Sequence, residues 1–323
     1  LTANRDAVRV LANPDSRTQV RVAITGGTGM IGTWLARELR ERGDEVLIVS
    51  RRRPKTPEFI RWDANKGVHD LARMEGLDAI VNLAGEPIAA RPWTTVRRRK
   101  LWESRVDATG VLLRSLARLD APPKAFIGVG SIGLFGDQGE DWVDESTGAG
   151  DGFLPELADA WEHAHLAAKR VISSRTAVLR LSIVLSPTGG VFPLMLKPFR
   201  IGMGGWLGHG RQFTPWTTIR DTSAAFRLLI DDGTAEGCFN GTIPEPIRNI
   251  DWLKALGRAT GKPVVTHAPR WALRGALGEL ADSLLIASIR TRPTKLLEHG
   301  FSFVDRDAEE AFRWLISEVE ASR

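Results

Sequence analysis

A chain of 323 residues, 43% hydrophobic and 26% charged, has the make-up of a globular protein with one large domain or two interleaved ones. Its single cysteine, Cys238, excludes an intrachain disulfide and any metal site built on several cysteines, and no apolar run reaches the ~18 residues that span a bilayer, so the expectation is a soluble, cytoplasmic protein with no metal and no membrane contact. A net charge of +5, gathered in Arg51–Arg53 and Arg97–Lys100, argues only weakly for nucleic acid, and the absence of tyrosine beside eleven tryptophans rules out any chemistry that needs a phenol.

Residues 1–19 read as an N-terminal extension, the tail of a longer upstream region, without a core role. From Val20 short β-branched runs alternate with longer periodic segments: VRVAIT, a helix from about Met30 to Arg42, EVLIVS, FIRWD, DAIVNLAG, a helix over Thr94–Arg118, and AFIGVGS. This is the βαβ alternation of a doubly wound parallel sheet of Rossmann type. Phe153–Ile172 reads as a further helix leading into TAVLRLSIVL, long and apolar enough to be one more buried strand. Glycine and proline gather between Pro187 and Gly210, short mixed segments follow Gly237, and a helix covers Asp307–Glu318. A helix starting near Asp221 returns to the first domain. The expected organisation is a dinucleotide-binding domain of residues 20–186 and about 212–240, with a smaller interleaved α+β substrate lobe of 187–211 and 241–323.

The strongest chemical signal is TGGTGMIG, in which Gly26, Gly29 and Gly32 follow a hydrophobic strand and open a helix, the context a dinucleotide site requires. Gly26 makes the tight turn, Gly29 lets the backbone approach a pyrophosphate resting on the helix N-terminus, and Gly32 allows close packing of helix on sheet, with Thr28, Met30 and Ile31 completing the loop. About 20 residues on, where an NAD enzyme usually places Asp or Glu on the ribose hydroxyls, this chain has Ser50, Arg51 and Arg52. A guanidinium binds a 2′-phosphate bidentately, and charge-assisted hydrogen bonds of roughly 1.5 to 3 kcal/mol give ~10-fold or better preference. NADP(H) is therefore expected over NAD(H); the alternative for Arg51–Arg53 is a solvated basic turn. Asp63, ending the third strand, either accepts from the adenine amino group or caps a surface turn. Leu83, Ala84, Gly85 and Glu86 of NLAGE end the fourth strand, where small residues let the chain pass an adenosine ribose or simply suit strand-end packing.

Together TGGTGMIG, NLAGEPI, ESRVDATGVLL, VGSIGLFG, DAWEHA and LGELADSLLIASIR resemble the atypical, epimerase-like branch of the extended short-chain dehydrogenase/reductases, from about Val20 to the C-terminus. Proteins of that branch are often labelled nucleoside-diphosphate-sugar epimerases and carry a C-terminal domain without assigned function. The resemblance implies a Rossmann domain with NADP(H) and a small substrate lobe, and it puts Val184 where relatives place backbone beside the nicotinamide, although a buried valine needs no function. In the wider superfamily a serine, a tyrosine and a lysine four residues after it carry the hydride chemistry. Ser131 matches the serine, whereas the tyrosine and lysine positions fall on Leu154 and Ala158, and the usual helix asparagine on Arg105. A general acid or base is worth about 10² to 10⁴ in rate, so the standard proton path is unsupported here. Ser131 is expected to hydrogen-bond a substrate carbonyl, or to be a packing residue. Arg105 supplies charge where an alkoxide develops, braces the cofactor phosphates or pairs with a carboxylate. Glu86, Asp151 and Glu156 are candidate proton carriers or plain loop acids.

Trp93, Trp206 and Trp216 suit a sugar or aromatic ligand as well as they suit a core, and Arg211, between the last two, is the expected anion-binding side chain of the lobe. His163 and His165 lie two apart on a helix, hence on different faces, and make a poor metal pair. Ser131 lacks the preceding glycine of a nucleophile elbow. The expected function is an NADP(H)-dependent oxidoreductase or epimerase-like enzyme, monomer or homodimer, acting by hydride transfer on a small polar substrate, nucleotide-linked if Arg211 holds a phosphate. The rival expectation is a non-catalytic NADP(H)-binding sensor.

Overall fold

The structure, a computed structural model, describes residues 19–51 and 56–321, so most of the N-terminal extension and Arg52 lie outside the described residues. The chain opens with β1 (Arg21–Thr25), α1 (Met30–Glu41), β2 (Glu45–Ser50), β3 (Phe59–Asp63), the short β4 (Gly67–Val68) and β5 (Ala79–Asn82). There follow α2 (Thr95–Trp102), α3 (Ala108–Leu116), β6 (Ala125–Ser131), β7 (Trp142–Val143), α4 (Phe153–Leu166), α5 (Ala168–Val171), β8 (Arg175–Leu181), β9 (Ile183–Ser186) and β10 (Gly189–Gly190). The remainder comprises α6 (Phe192–Arg200), β11 (Gly204–Leu207), β12 (Trp216–Thr218), α7 (Ile219–Asp231), β13 (Gly237–Gly241), α8 (Asn249–Thr260), β14 (Val264–Ala268), α9 (Arg270–Leu277), α10 (Glu279–Ala281), β15 (Arg290–Thr291), α11 (Thr294–Glu298) and α12 (Ala308–Ala321).

Eight strands form one sheet in the order β13-β8-β6-β5-β1-β2-β3-β4, parallel except for the edge pair β3–β4. Its inner strands carry continuous apolar runs because both faces are covered. Leu35 and Leu39 of α1 meet Phe226 and Leu229 of α7 over one face, and Leu112 and Leu116 of α3 pack on the other. Strand order reverses between β1 and β5, so the crevice beyond their carboxyl ends is the place where an open α/β sheet takes a ligand. The helix expected near Asp221 is α7, and it does return to the first domain: Ser223 Oγ donates to Glu38 Oε2 (2.6 Å), and Arg42 pairs with Asp231 (2.6 Å).

Two expectations about elements are corrected. TAVLRLSIVL is not one strand: it breaks at Ser182, whose hydroxyl donates to the Gly241 carbonyl (2.7 Å), and β9 leaves the main sheet to pair with β10 and β12. The helix over Thr94–Arg118 is interrupted by a π turn at Glu103–Asp107, which turns Arg105 inward. α4 sits close on β6 because Gly130 has no side chain; a Cβ there would come within 2.4 Å of Glu162 Oε1. Glu162 is in turn held by Arg180 (3.0 Å) and accepts from Cys238 Sγ (3.3 Å) in the interior. Residues of the C-terminal half build a separate core around Phe192, Trp216, Trp252 and Phe312.

Candidate active site

The turn after β1 is shaped by three glycines with different duties. Gly26 has a φ of +65°, and a Cβ there would lie 2.7 Å from the Leu83 carbonyl oxygen. At Gly32 a Cβ would meet the Gly26 carbonyl oxygen and the Gly27 Cα at 2.6 Å, so only hydrogen lets α1 rest on the turn. Gly29 has an ordinary φ of −81°, and a Cβ there would touch only the Gly26 carbonyl oxygen (3.2 Å) and otherwise fill open cleft. No side chain caps α1, and Met30, Ile31 and Gly32 line the cleft, so the first-turn N–H groups, which have no intrahelical acceptor, face it. A backbone cradle that a single methyl would obstruct, next to uncapped helix donors, fits a pyrophosphate.

Beneath this turn lies a buried polar network whose members Thr25, Asn82 and Thr109 sit in the quoted motifs but are given no role there. Thr25 Oγ1 donates to Asn82 Oδ1 (2.5 Å) and accepts from Ala84 N–H (3.2 Å), while Asn82 Nδ2 donates to Thr109 Oγ1 (3.1 Å) and His165 Nε2 (3.0 Å). It ties β1, β5, α3 and α4 together and sets the path of Leu83–Gly85 along the cleft. Burial holds the His165 imidazole neutral, its pKa pushed down to about 3. His163 is exposed on the opposite face of α4, so the two histidines do not converge.

At the far end of β2, Ser50 is buried and Arg51 is 77% exposed, its Nη1 3.8 Å from Glu86 Oε1. Glu86 also accepts from Arg97 (3.1 Å), so one carboxylate anchors cations on both sides of the cleft mouth. Thr28 is exposed beside the turn. Asp63 ends β3, and its Oδ1 accepts from the N–H groups of Asn65 (2.8 Å) and Lys66 (3.2 Å), which lowers its pKa and matches the turn-capping alternative.

Ser131, Arg105 and Val184 converge on the inner end of the cleft, whose volume is ≈ 560 Å³. Ser131 Oγ accepts from Gly133 N–H (3.0 Å), which orients the hydroxyl and leaves its hydrogen for another acceptor. Arg105 donates through Nη2 to the Glu86 carbonyl (2.8 Å) and stacks over Trp161, 4.9 Å from the ring centroid. Burial, helped by the neighbouring Arg97, lowers its pKa to about 10, so it stays charged at neutral pH. Gly85 allows this approach, since a Cβ there would already lie 3.3 Å from the Arg105 guanidinium carbon. Leu154 and Ala158, with Leu157 and Trp161, face the same space from α4. Where the resemblance places tyrosine and lysine, the wall is therefore apolar.

The expected substrate residues do not reach the cleft. Trp216 is fully buried, stacked on Phe312 and packed on Trp252, because the second core forms around it. Trp93 is buried as well, donating to the Ile88 carbonyl (2.9 Å) and meeting Phe153 edge-on, so it braces the loop after β5. Trp206 stacks on the exposed His267 in the β11–β14 pair, and Arg211 is an exposed loop residue whose carbonyl accepts from Arg248. Asp151 and Glu156 are exposed outside the lining. The wall comes instead from Ile88, Leu154 and Leu157 and from the Ser283–Ile289 segment, which follows α10 through a π turn at Asp282–Ile286. In the sequence it is the apolar run SLLIASI within LGELADSLLIASIR, to which no role in the cleft is given. Among the described residues no group of three His, Cys, Asp or Glu side chains is placed to hold a metal, and no helix is long and apolar enough to cross a membrane.

Comparison with known proteins matches the NAD dependent epimerase/dehydratase family over residues 22–240 and a Domain of unknown function (DUF1731) over residues 268–315. The chain is similar to epimerase family protein Mb2239 of Mycobacterium bovis, 36% identical over 282 residues that cover 87% of this chain and 93% of the relative. It is also similar to epimerase family protein SDR39U1 of Bos taurus, 33% identical over 292 residues covering 88% and 95% of the two chains. Among solved structures, human epimerase family protein SDR39U1 (isoform2) with NADPH matches with a TM-score of 0.84 and 31% identity, over 92% of this chain and 99% of that one. The UDP-glucose 4-epimerase of Thermus thermophilus in complex with NAD, at 18% identity and a TM-score of 0.73 over 94% and 100% of the chains, shares the fold alone.

Proposed function

Because this chain belongs to the NAD dependent epimerase/dehydratase family, we propose that it is an NADP(H)-binding oxidoreductase or epimerase-like enzyme that works by hydride transfer without a tyrosine–lysine pair. The observation that carries this reading is the open cradle at Gly29 against an uncapped helix, with Arg51 at the other side of the cleft mouth. In it, Gly26, Gly29, Met30, Ile31 and Gly32 hold the pyrophosphate, Ser50 and Arg51 the 2′-phosphate, and Leu83–Glu86 the adenosine side. The human relative solved with NADPH supports the choice of cofactor. Residues 20–186 and about 212–240 form the cofactor unit of this scheme, and 187–211 with 241–323 the substrate lobe.

When bound, the cofactor supplies or accepts a hydride. The protein's part is to hold the substrate oxygen: the Ser131 hydroxyl, fixed by Gly133 N–H, donates to it, and the Arg105 charge favours the negative charge that develops there. With Leu154 and Ala158 in the wall, the proton is exchanged with solvent water through Ser131. A second reading, an NADP(H) sensor without turnover, draws support from the same two apolar residues.

Titrating the purified protein with NADPH and NADH by calorimetry tests the cofactor; NADPH is expected to bind about tenfold or more tightly. Tighter binding of NADH would overturn the assignment. Following NADPH absorbance with a panel of carbonyl compounds then separates the two readings: cofactor binding without oxidation by any of them favours the sensor.

A further inference from the structure

We propose that the inner end of the cleft takes an uncharged, largely apolar carbonyl compound, a ketone or aldehyde, rather than a nucleotide sugar. This rests on the cofactor reading above and adds the substrate class. Past the glycine turn the cleft is walled by Ile88, Leu154, Leu157, Leu284, Leu285 and Ile289, contributed by three separate segments. Its hydroxyls differ in what they can still offer: Ser182 donates to the Gly241 carbonyl (2.7 Å), whereas Thr214 accepts from Asn249 Nδ2 (3.2 Å) and so keeps its hydrogen. Ser131 keeps its hydrogen for an incoming acceptor. Such a wall offers neutral hydroxyl donors, which suit the oxygen of a carbonyl compound.

Charge argues the same way. Among the described residues Arg105 is the one cation in the lining of this cleft, and it is tied to the Glu86 carbonyl and stacked on Trp161. Glu86, the one carboxylate in the lining among the described residues, is paired with Arg97 (3.1 Å) and offers a phosphate no donor. A nucleoside diphosphate would bring two phosphates into this space, and buried anionic groups need paired, hydrogen-bonding cations. Arg97 and Arg98, the next nearest along α2, are spent on Glu86 and Glu279. Arg211, the cation the sequence offered for a phosphate, is an exposed loop residue outside the lining. Without such cations the wall favours a ligand that loses apolar surface to it.

Calorimetry on the full chain tests this in two stages. NADP⁺ is titrated alone first, and its failure to bind overturns the cofactor reading itself. The NADP⁺-saturated protein, which cannot turn over a ketone, is then titrated with 2-octanone, acetophenone and UDP-glucose. Both ketones should bind, and UDP-glucose should neither bind nor displace them. Leu284→Gln should weaken both ketones about tenfold while NADP⁺ affinity stays within about twofold, because a half-buried leucine contact is lost and the cofactor seat is untouched. Ile88→Thr, on the loop after β5, should act in the same direction and serves if the first variant does not fold. Displacement of the ketones by UDP-glucose, no binding of either ketone to the saturated protein, or ketone affinity unchanged in both variants overturns the substrate class and leaves the cofactor assignment standing.

Discussion

Replacing Gly29 by alanine perturbs the cofactor seat with little disturbance of the fold around it. Its φ of −81° suits any residue, and the added Cβ would meet only the Gly26 carbonyl oxygen at 3.2 Å. The loss of an N-cap glycine costs up to about 1 kcal/mol, and the stiffer unfolded chain returns about 0.4 to 1 kcal/mol, so stability should barely change. The methyl group stands in front of the first-turn N–H groups, where it would lift a pyrophosphate off one or two charge-assisted hydrogen bonds. At roughly 1.5 to 3 kcal/mol each, a net loss of about 3 kcal/mol, or roughly 100-fold in Kd, is expected. Gly32→Ala is the contrast: its Cβ would sit 2.6 Å from backbone atoms of Gly26 and Gly27, so α1 must shift and about 1 to 3 kcal/mol of stability should go as well. Calorimetric NADPH titration with urea denaturation of both variants reads the two effects separately. A Gly29→Ala protein of unchanged stability that binds NADPH within threefold of the parent would refute the reasoning.

Arg51→Gln should weaken NADPH about tenfold and leave NADH unaffected, and the parent's preference should shrink as salt is raised, because Arg51 is 77% exposed; competition titrations at two salt concentrations check both. Ser131→Ala should slow turnover about 10²-fold with NADPH affinity unchanged, as single-turnover kinetics on an active carbonyl substrate would read. His165, buried neutral with its folded pKa near 3, adds stability that is present above the unfolded value of 6.5 and is lost as pH falls from there towards 3. Between pH 7.5 and 5.0 that loss comes to about 2 kcal/mol. It should be missing from His165→Phe, so urea midpoints of the two proteins should converge at the lower pH. Arg180→Met strands the buried Glu162 carboxylate and should cost about 3 to 5 kcal/mol, most of which the double variant Arg180→Met/Glu162→Met recovers; equal midpoints for the single and double variants would contradict this.

Much of the Rossmann sheet was legible from sequence because its signals are local. Buried parallel strands read as apolar runs, α1 as a periodic stretch, and the turn between β1 and α1 as three glycines, since the chain geometry there is set by a few neighbouring residues. The same local reading placed Ser131 and Arg105 in the right elements but missed how they are held. The π turn that aims Arg105 breaks the regular helical period on which the reading rests, and the break at Ser182 depends on a carbonyl 59 residues away. Asp63 had two local readings, and the N–H groups of the turn beyond it match the capping one.

The substrate end was the least legible for the same reason. Trp93, Trp206, Trp216 and Arg211 looked like ligand residues by type, yet a tryptophan suits a core and a pocket equally, and only the packing of α8 and α12 around Trp216 decided between them. The wall of the cleft unites Ile88, Leu154 and Leu284, which share no motif and no period. What the amino-acid sequence determined alone was the parallel sheet and its glycine turn, because these follow from backbone geometry and short-range periodicity. What fills the cleft was decided by tertiary structure, because it depends on which distant faces meet and which charges find partners elsewhere.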